Sequence, residues 1–393
     1  MDNLKVKSLG PIQEANINFG DLTLLVGPQA SGKSIFIQML KLIIDKKNIR
    51  KILEQYNFVW SKNPDEVLDR YLGEGMHGIW QADTKLTFDG KAIDKKYLEP
   101  KPKDSKEADE TLFYIPAQRI LSIADGRPKY FTEFDESTPY VLRHFSETLR
   151  QLLQNGLSKQ GDIFPRSQSL KEPLRASFND SIFHDGKVIL DDKSGQKKIK
   201  MTVNNMTLPF MTWSAGQKEF MPLLLSFYWL CPPSKISKRD KIKYVVIEEP
   251  EMGLHPQAIK SVLLQVMDLM ERGYKVIIST HSPVMIEFAW AVRLLQQYKA
   301  DYKSLAELFD IKPATVKGIL SSILESKTIN TYYFDRKNNH VTVKDISTLD
   351  AGSEDLAIAE WGGLSSFSSK ASDIISNLVA QADTNKIEKH LNN

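Results

Sequence analysis

The chain has 393 residues, 41% hydrophobic and 26% charged, enough apolar material for a large core and too much for wholesale disorder. Its 52 Lys plus Arg against 49 Asp plus Glu leave a net charge of +3, which neither requires nor excludes nucleic acid. The single cysteine, Cys231, excludes an internal disulfide framework and a multi-cysteine zinc site, and no apolar run reaches the ~18–20 residues that span a bilayer. The N-terminus has no apolar signal core, so the expectation is a cytoplasmic protein with no membrane partner.

In chain order, alternation predicts strands over 4–9 and 12–19, joined by a Gly10-Pro11 turn. Leu22 to Val26 is a short apolar run, as expected of a strand buried on both faces, and Ile35 to Ile44 predicts a buried helix. The Pro/Lys/Asp/Glu-rich stretch 100–110 reads as an exposed loop and Leu112 to Ile115 as a core strand. An apolar face predicts a helix within 137–160, and alternation around Lys193-Ser194-Gly195 predicts a β-hairpin over 187–210. Two further buried strands are expected at Tyr244–Ile247 and Val276–Ile278, then a strand-like 331–343 and a helical 371–380. The basic clusters 46–51 and 235–243 read first as solvated loop lysines, with a phosphate track as the alternative.

Between the strand at 22–26 and the helix after it, Gly27-Pro28-Gln29-Ala30-Ser31-Gly32-Lys33-Ser34 fits G-x-x-x-x-G-K-[ST] at every fixed position. Gly27 and Gly32 permit backbone conformations and a close approach that a Cβ would obstruct. Consecutive N–H groups then form an anion-binding concavity at a helix N-terminus. Lys33 is placed for the β- and γ-phosphates of ATP, and the Ser34 hydroxyl for Mg²⁺. Such a site needs an acid for the metal and usually a base for water. Glu248 and Glu249, ending the strand at 244–247, supply both, with Glu248 assigned to the metal and Glu249 to the attacking water. His281, after the strand at 276–278, is placed for the γ-phosphate or the water.

Trp213-Ser214-Ala215-Gly216-Gln217 precedes an apolar helix, and Ser214-Ala215-Gly216-Gln217 resembles the signature motif of ABC-type ATPases. As a local element, Ser214 is equally a helix N-cap. Glu248-Glu249-Pro250-Glu251 followed by Gly253-Leu254-His255-Pro256 is similar to the RecF, SMC and OLD-type branch, and most like the stand-alone ATPases of bacterial anti-phage defence systems. Tyr114 to Arg119 is similar to a strand-end motif of that group. Gln118 corresponds to its metal-reaching glutamine, and a polar residue opening a helix after Pro116 is the alternative. Glu248 stands where the family has aspartate, which leaves an exchange of roles with Glu249 open, and Ala215 stands where it has glycine.

The resemblance implies an α/β P-loop fold of ABC type, with a mixed sheet, an inserted helical signature lobe and a small C-terminal α/β region. The expected domains are an ATPase domain over 1–300 and a C-terminal region over 301–393 of open role. Within the first, 1–135 and 236–300 form the nucleotide-binding lobe and 136–235 the signature lobe. ATP-binding residues are Gly27 to Ser34 with Ser214, Gly216 and Gln217. Catalytic residues are Lys33, Glu249 and His281, and metal-binding residues are Ser34, Glu248 and Gln118. Because the family's signature completes a phosphate site in trans, a homodimer or higher homo-oligomer with sandwiched ATP and Mg²⁺ is expected. It would control an effector, a nuclease or toxin encoded nearby, in anti-phage defence. The alternatives are a RecF-like ATPase that binds DNA in repair, and an ATP-dependent assembly scaffold with slow hydrolysis. No D-x-D pair follows His281, so no nuclease of its own is expected.

Overall fold

The computed structural model describes residues 2–101, 108–157, 162–167, 169–192, 195–232, 238–364, 370–372 and 374–376. The chain opens with β1 (Asn3–Leu9), β2 (Ile12–Asn18) and β3 (Leu22–Val26), then α1 (Lys33–Gln55) and α2 (Pro64–Leu72). There follow β4 (Trp80–Phe88), β5 (Lys91–Ile93), β6 (Leu112–Ile115) and the short β7 (Ile123–Ala124) and β8 (Arg127–Pro128). The signature segment contains α3 (Tyr140–Gln151), α4 (Glu172–Phe178), β9 (Lys187–Asp191), β10 (Lys198–Val203), β11 (Met206–Pro209) and α5 (Ala215–Leu230). The chain continues with β12 (Tyr244–Glu248), α6 (Pro256–Glu271), β13 (Lys275–Thr280), α7 (Pro283–Gln297), α8 (Tyr302–Leu308) and α9 (Pro313–Ser326). Last come β14 (Ile329–Lys337), β15 (His340–Asp345) and α10 (Leu356–Ala359).

Ten strands form one mixed sheet in the order β5-β4-β1-β2-β15-β14-β3-β13-β12-β6. From β14 to β6 every neighbour is parallel, whereas β2, β1, β4 and β5 form an antiparallel flank. The parallel strands are the apolar runs, because helices cover both faces and each residue needs an apolar side chain. Leu22, Leu24, Val26, Val245, Ile247, Val276 and Ile278 join one core cluster, and Leu25, Tyr244, Val246 and Ile277 the other. Alternate residues of the same strands thus feed opposite faces. No helix among the described residues is long and apolar enough to cross a membrane.

Several elements differ from expectation. The helix expected at 35–44 runs to Gln55, and its basic run is not a solvated loop: Lys46 is buried and donates to the carbonyls of Tyr97 (2.6 Å) and Glu99 (2.8 Å). The helix bends at Asp45, whose carboxylate accepts the N–H groups of Thr111 and Leu112 and the ammonium of the fully buried Lys41. That bend ties the helix to the start of β6. The expected hairpin at 187–210 is a three-stranded antiparallel sheet, β11-β10-β9. The strand expected at 331–343 is a hairpin, β14–β15, that enters the main sheet between β2 and β3. The boundary expected at residue 300 is therefore crossed by a continuous sheet. Part of the stretch 100–110, the turn at 193–194, part of the basic cluster 235–243 and half of 371–380 lie outside the described residues.

Candidate nucleotide site

The loops that leave the carboxyl ends of β3, β12 and β13 lie side by side because those strands are parallel neighbours in register, with Val26 opposite Thr280 and Glu248 opposite Ser279. In open α/β sheets this edge is where ligands bind. After β3 the backbone turns through Gly27 (φ 146°), Ala30 (φ 55°) and Gly32 (φ 85°) into α1. A Cβ at Gly27 would stand 2.8 Å from the carbonyl oxygen of Phe334, so a side chain there would collide with β14. Arg336, also on β14, donates to the carbonyl of Ala30 at 3.1 Å. The C-terminal hairpin, whose role the sequence leaves open, is thus a wall of the phosphate loop.

Lys33 is buried, and its ammonium donates to the carbonyls of Gly27 (2.8 Å) and Pro28 (2.9 Å) and lies 3.3 Å from the Ser31 hydroxyl. Burial lowers its pKa to about 8, against the opposing pull of Glu249, Glu248 and Glu251. With Ser34, Glu249, Ser279 and His281 it lines a cleft of about 370 Å³ that Gln29, Ala30, Ser31 and Gly32 also line.

The two glutamates occupy different environments. Glu248 is buried, accepts the N–H of Ala117 at 3.3 Å and lies beside the hydroxyls of Ser34 and Tyr114. Burial raises its pKa, while those hydroxyls favour the ionised form. Glu249 is half-exposed and has a left-handed backbone (φ 44°); its carboxylate is 3.4 Å from Nε2 of His281. Burial, then the Lys33 charge, lowers the His281 pKa, against the opposing pull of Glu249 and Glu251. The imidazole is therefore neutral at pH 7, with one N–H to donate. Glu251 is a further carboxylate here. It accepts the Thr280 hydroxyl and the His281 N–H, both at 2.7 Å, and so fixes the turn that presents His281. The third acid of Glu248-Glu249-Pro250-Glu251 was the only sequence signal for it.

Ser214 caps α5 in a reciprocal box: the Gln217 N–H donates to its hydroxyl at 3.3 Å, and the Ser214 N–H donates to the Gln217 carboxamide at 3.2 Å. Ser214 itself is exposed. A Cβ at Gly216 would stand 2.7 Å from the Gly253 carbonyl, so the start of α5 packs directly on the loop after β12. None of Ser214, Gly216 and Gln217 lines the phosphate-loop cleft of its own chain. Gln118 is exposed at the end of β6 and also lies outside that lining. Its neighbour Arg119 points inward and is fully buried. It donates to the carbonyls of Glu248 (3.1 Å), Glu249 (3.2 Å) and Glu219 (3.1 Å).

A family described as "AAA domain, putative AbiEii toxin, Type IV TA system" matches residues 147–287, which hold the signature, the acids and His281. The Old nuclease of Escherichia phage P2 is 24% identical over 180 residues, 45% of this chain and 30% of the relative. Over these residues the chain is similar to ABC-type ATPases of the OLD branch. The match takes in less than a third of that relative's length. Among solved structures, the chain is similar to an SMC head bound to the C-winged helix domain of ScpA (12% identity, 87% of this chain, 96% of that one, TM-score 0.41). It is also similar to the SMC head domain from Thermotoga maritima (11% identity, 87% of this chain, 97% of that one, TM-score 0.34). Among the described residues, no three or more His, Cys, Asp or Glu side chains are grouped to hold a metal ion by themselves. A magnesium ion arriving with a triphosphate needs fewer, and the buried Glu248 beside the Ser34 hydroxyl suits it.

Proposed function

We propose that the chain binds and hydrolyses ATP with Mg²⁺ between two copies of itself arranged head to tail, and uses that cycle to control an effector protein in anti-phage defence. The observation that carries this reading is the division of the site. Lys33, Ser34, Glu249 and His281 share one cleft, while the exposed N-terminus of the signature helix, at Ser214, lies outside it. Loop amides and Lys33 would hold the phosphates, and Ser34 with Glu248 would hold the ion that neutralises them. Glu249 takes a proton from the attacking water as the bond from the γ-phosphorus to the leaving ADP oxygen breaks. His281 donates its N–H to this group or to the phosphate, and Glu251 keeps it in place. Ser214 and Gly216 of the second copy close the cleft. Gln118, at the end of β6, would reach the metal only when nucleotide is present.

The setting in defence is supported by the phage origin of the Old nuclease and by the toxin in the family description. The test is turnover and mass together. Glu249→Gln should lower the hydrolysis rate by about a hundredfold or more while still binding ATP. With Mg·ATP, this variant should double its mass in light scattering. A variant that stays monomeric with ATP bound rules out the sandwich. The effector claim stands or falls on whether Lys33→Ala, expressed with the neighbouring gene, loses protection from phage.

A further inference from the structure

Arg119 has no task in the scheme above, yet it is one of the largest fully buried side chains in the molecule. It sits in the first turn after β6, and its guanidinium bridges two segments distant in sequence. Nε donates to the Glu219 carbonyl near the start of α5, and Nη1 donates to the carbonyls of Glu248 and Glu249 at the end of β12.

A buried arginine kept for stability alone is expected to close a short pair with a carboxylate, since desolvating the charge is costly otherwise. Here the closest such contact, to Glu219 Oε2, is 4.0 Å, and neither that oxygen nor Nη2 of Arg119 has a protein hydrogen-bond partner among the described residues. Its bonds go instead to backbone carbonyls beside the reacting groups. One of those belongs to Glu249, whose φ of 44° costs a non-glycine residue about 1–2 kcal/mol. Three bonds hold that conformation: the Glu249 N–H donates to Ser279 O at 2.8 Å, and the Glu249 carbonyl accepts the Met252 N–H at 3.1 Å and Arg119 Nη1 at 3.2 Å, the one bond of the three that a side chain supplies. The same conformation places the Glu249 carboxylate against His281.

We propose that Arg119 is a positioning residue: it holds the Glu249 backbone in the left-handed turn that aims the carboxylate into the cleft, and ties that turn to the signature helix. The inference rests on the ATPase reading above. It requires that Arg119 act on turnover through Glu249 rather than on nucleotide binding, because none of its contacts is with the phosphate loop.

The experiment compares Arg119→Met and Arg119→Lys with the unsubstituted chain, each with and without Glu249→Gln. Steady-state hydrolysis and the Kd of a fluorescent ATP analogue are measured on chains whose melting confirms folding. The expected result for Arg119→Met is a fall in kcat of roughly ten- to hundredfold, with the Kd unchanged within about twofold. Arg119→Lys, which keeps charge but reaches fewer carbonyls, should recover part of the rate, and it is the variant read if the methionine form does not fold. In the Glu249→Gln background neither substitution should lower the residual rate further. An unchanged kcat, or an equal fractional loss in that background, overturns the proposal. Absence of hydrolysis by the unsubstituted chain overturns the ATPase reading, and this one with it.

Discussion

The phosphate-loop cleft and the signature turn stand in contrast. In the cleft, charged groups are held before any ligand arrives: Lys33 on loop carbonyls, Glu248 in a buried niche, and His281 between Glu249 and the Glu251 scaffold. At the signature turn, Ser214 and Gln217 cap each other, Gln217 also donates to the Ile182 carbonyl, and Ser214 at the helix end is exposed. Preorganisation on one side and an exposed helix N-terminus on the other is what the proposed sharing of the site between copies requires. Substitutions in the cleft should therefore alter what one chain does alone, and those in the signature only what two chains do together.

The largest separation is expected from Ser214→Arg. Turnover should fall about a hundredfold or more, while the Kd of ATP for the monomer stays within about twofold. A matching loss of affinity, measured by fluorescence titration, would place Ser214 in its own chain's site and break the contrast. On the cleft side, Glu251→Ala leaves the Thr280 hydroxyl and the His281 N–H without their acceptor, at about 1–3 kcal/mol each where buried. Stopped-time assays should show turnover down by roughly tenfold with dimer formation intact.

Next in size is a pH effect on binding by the single chain. The pKa of free Lys33 lies near 8, and only its protonated form serves the triphosphate. Nucleotide binding must therefore bring a proton with it above that pH. Affinity should be flat below 8 and weaken by up to about tenfold per unit above it, as titrations between pH 7 and 9 would show. For His281 the sign is opposite in consequence. Its pKa is lowered by folding, so the unfolded chain takes up the proton first, and stability declines as pH falls below about 6.5. The smallest effect is expected of Arg336→Ala, which removes an exposed bond to the Ala30 carbonyl, worth about 0.5–1.5 kcal/mol. The ATP Kd should rise only a few-fold by titration.

What the sequence disclosed follows the same physics. Leu22–Val26, Tyr244–Ile247 and Val276–Ile278 are apolar on both faces, so each announces a central strand, and the polar residues just after each strand were found together at one edge. The pairing of β14 with β3 was hidden because it joins residues about 300 apart, and no local pattern marks the insertion of a hairpin between β2 and β3. Inward and outward neighbours were equally hard to separate. In Gln118-Arg119 the turn after β6 exposes the glutamine and buries the arginine, the reverse of what charge suggests. Lys41 and Lys46 are buried for a similar reason: a carboxylate or backbone carbonyls distant in sequence receive them.

The central claim is that a working site draws Lys33 from one chain and Ser214 from another. The direct measurement mixes a Lys33→Ala chain with a Ser214→Arg chain, each inactive alone, and records ATP hydrolysis against mixing ratio. A sandwich formed by one chain of each kind contains one site with both residues intact. Activity should therefore appear on mixing, peak at equal amounts and approach a quarter of the unsubstituted rate if pairing is random and the sites act independently (about half of the dimers are mixed, each with one of two sites). A mixture as inactive as its components would contradict the shared site and return the signature to its own chain.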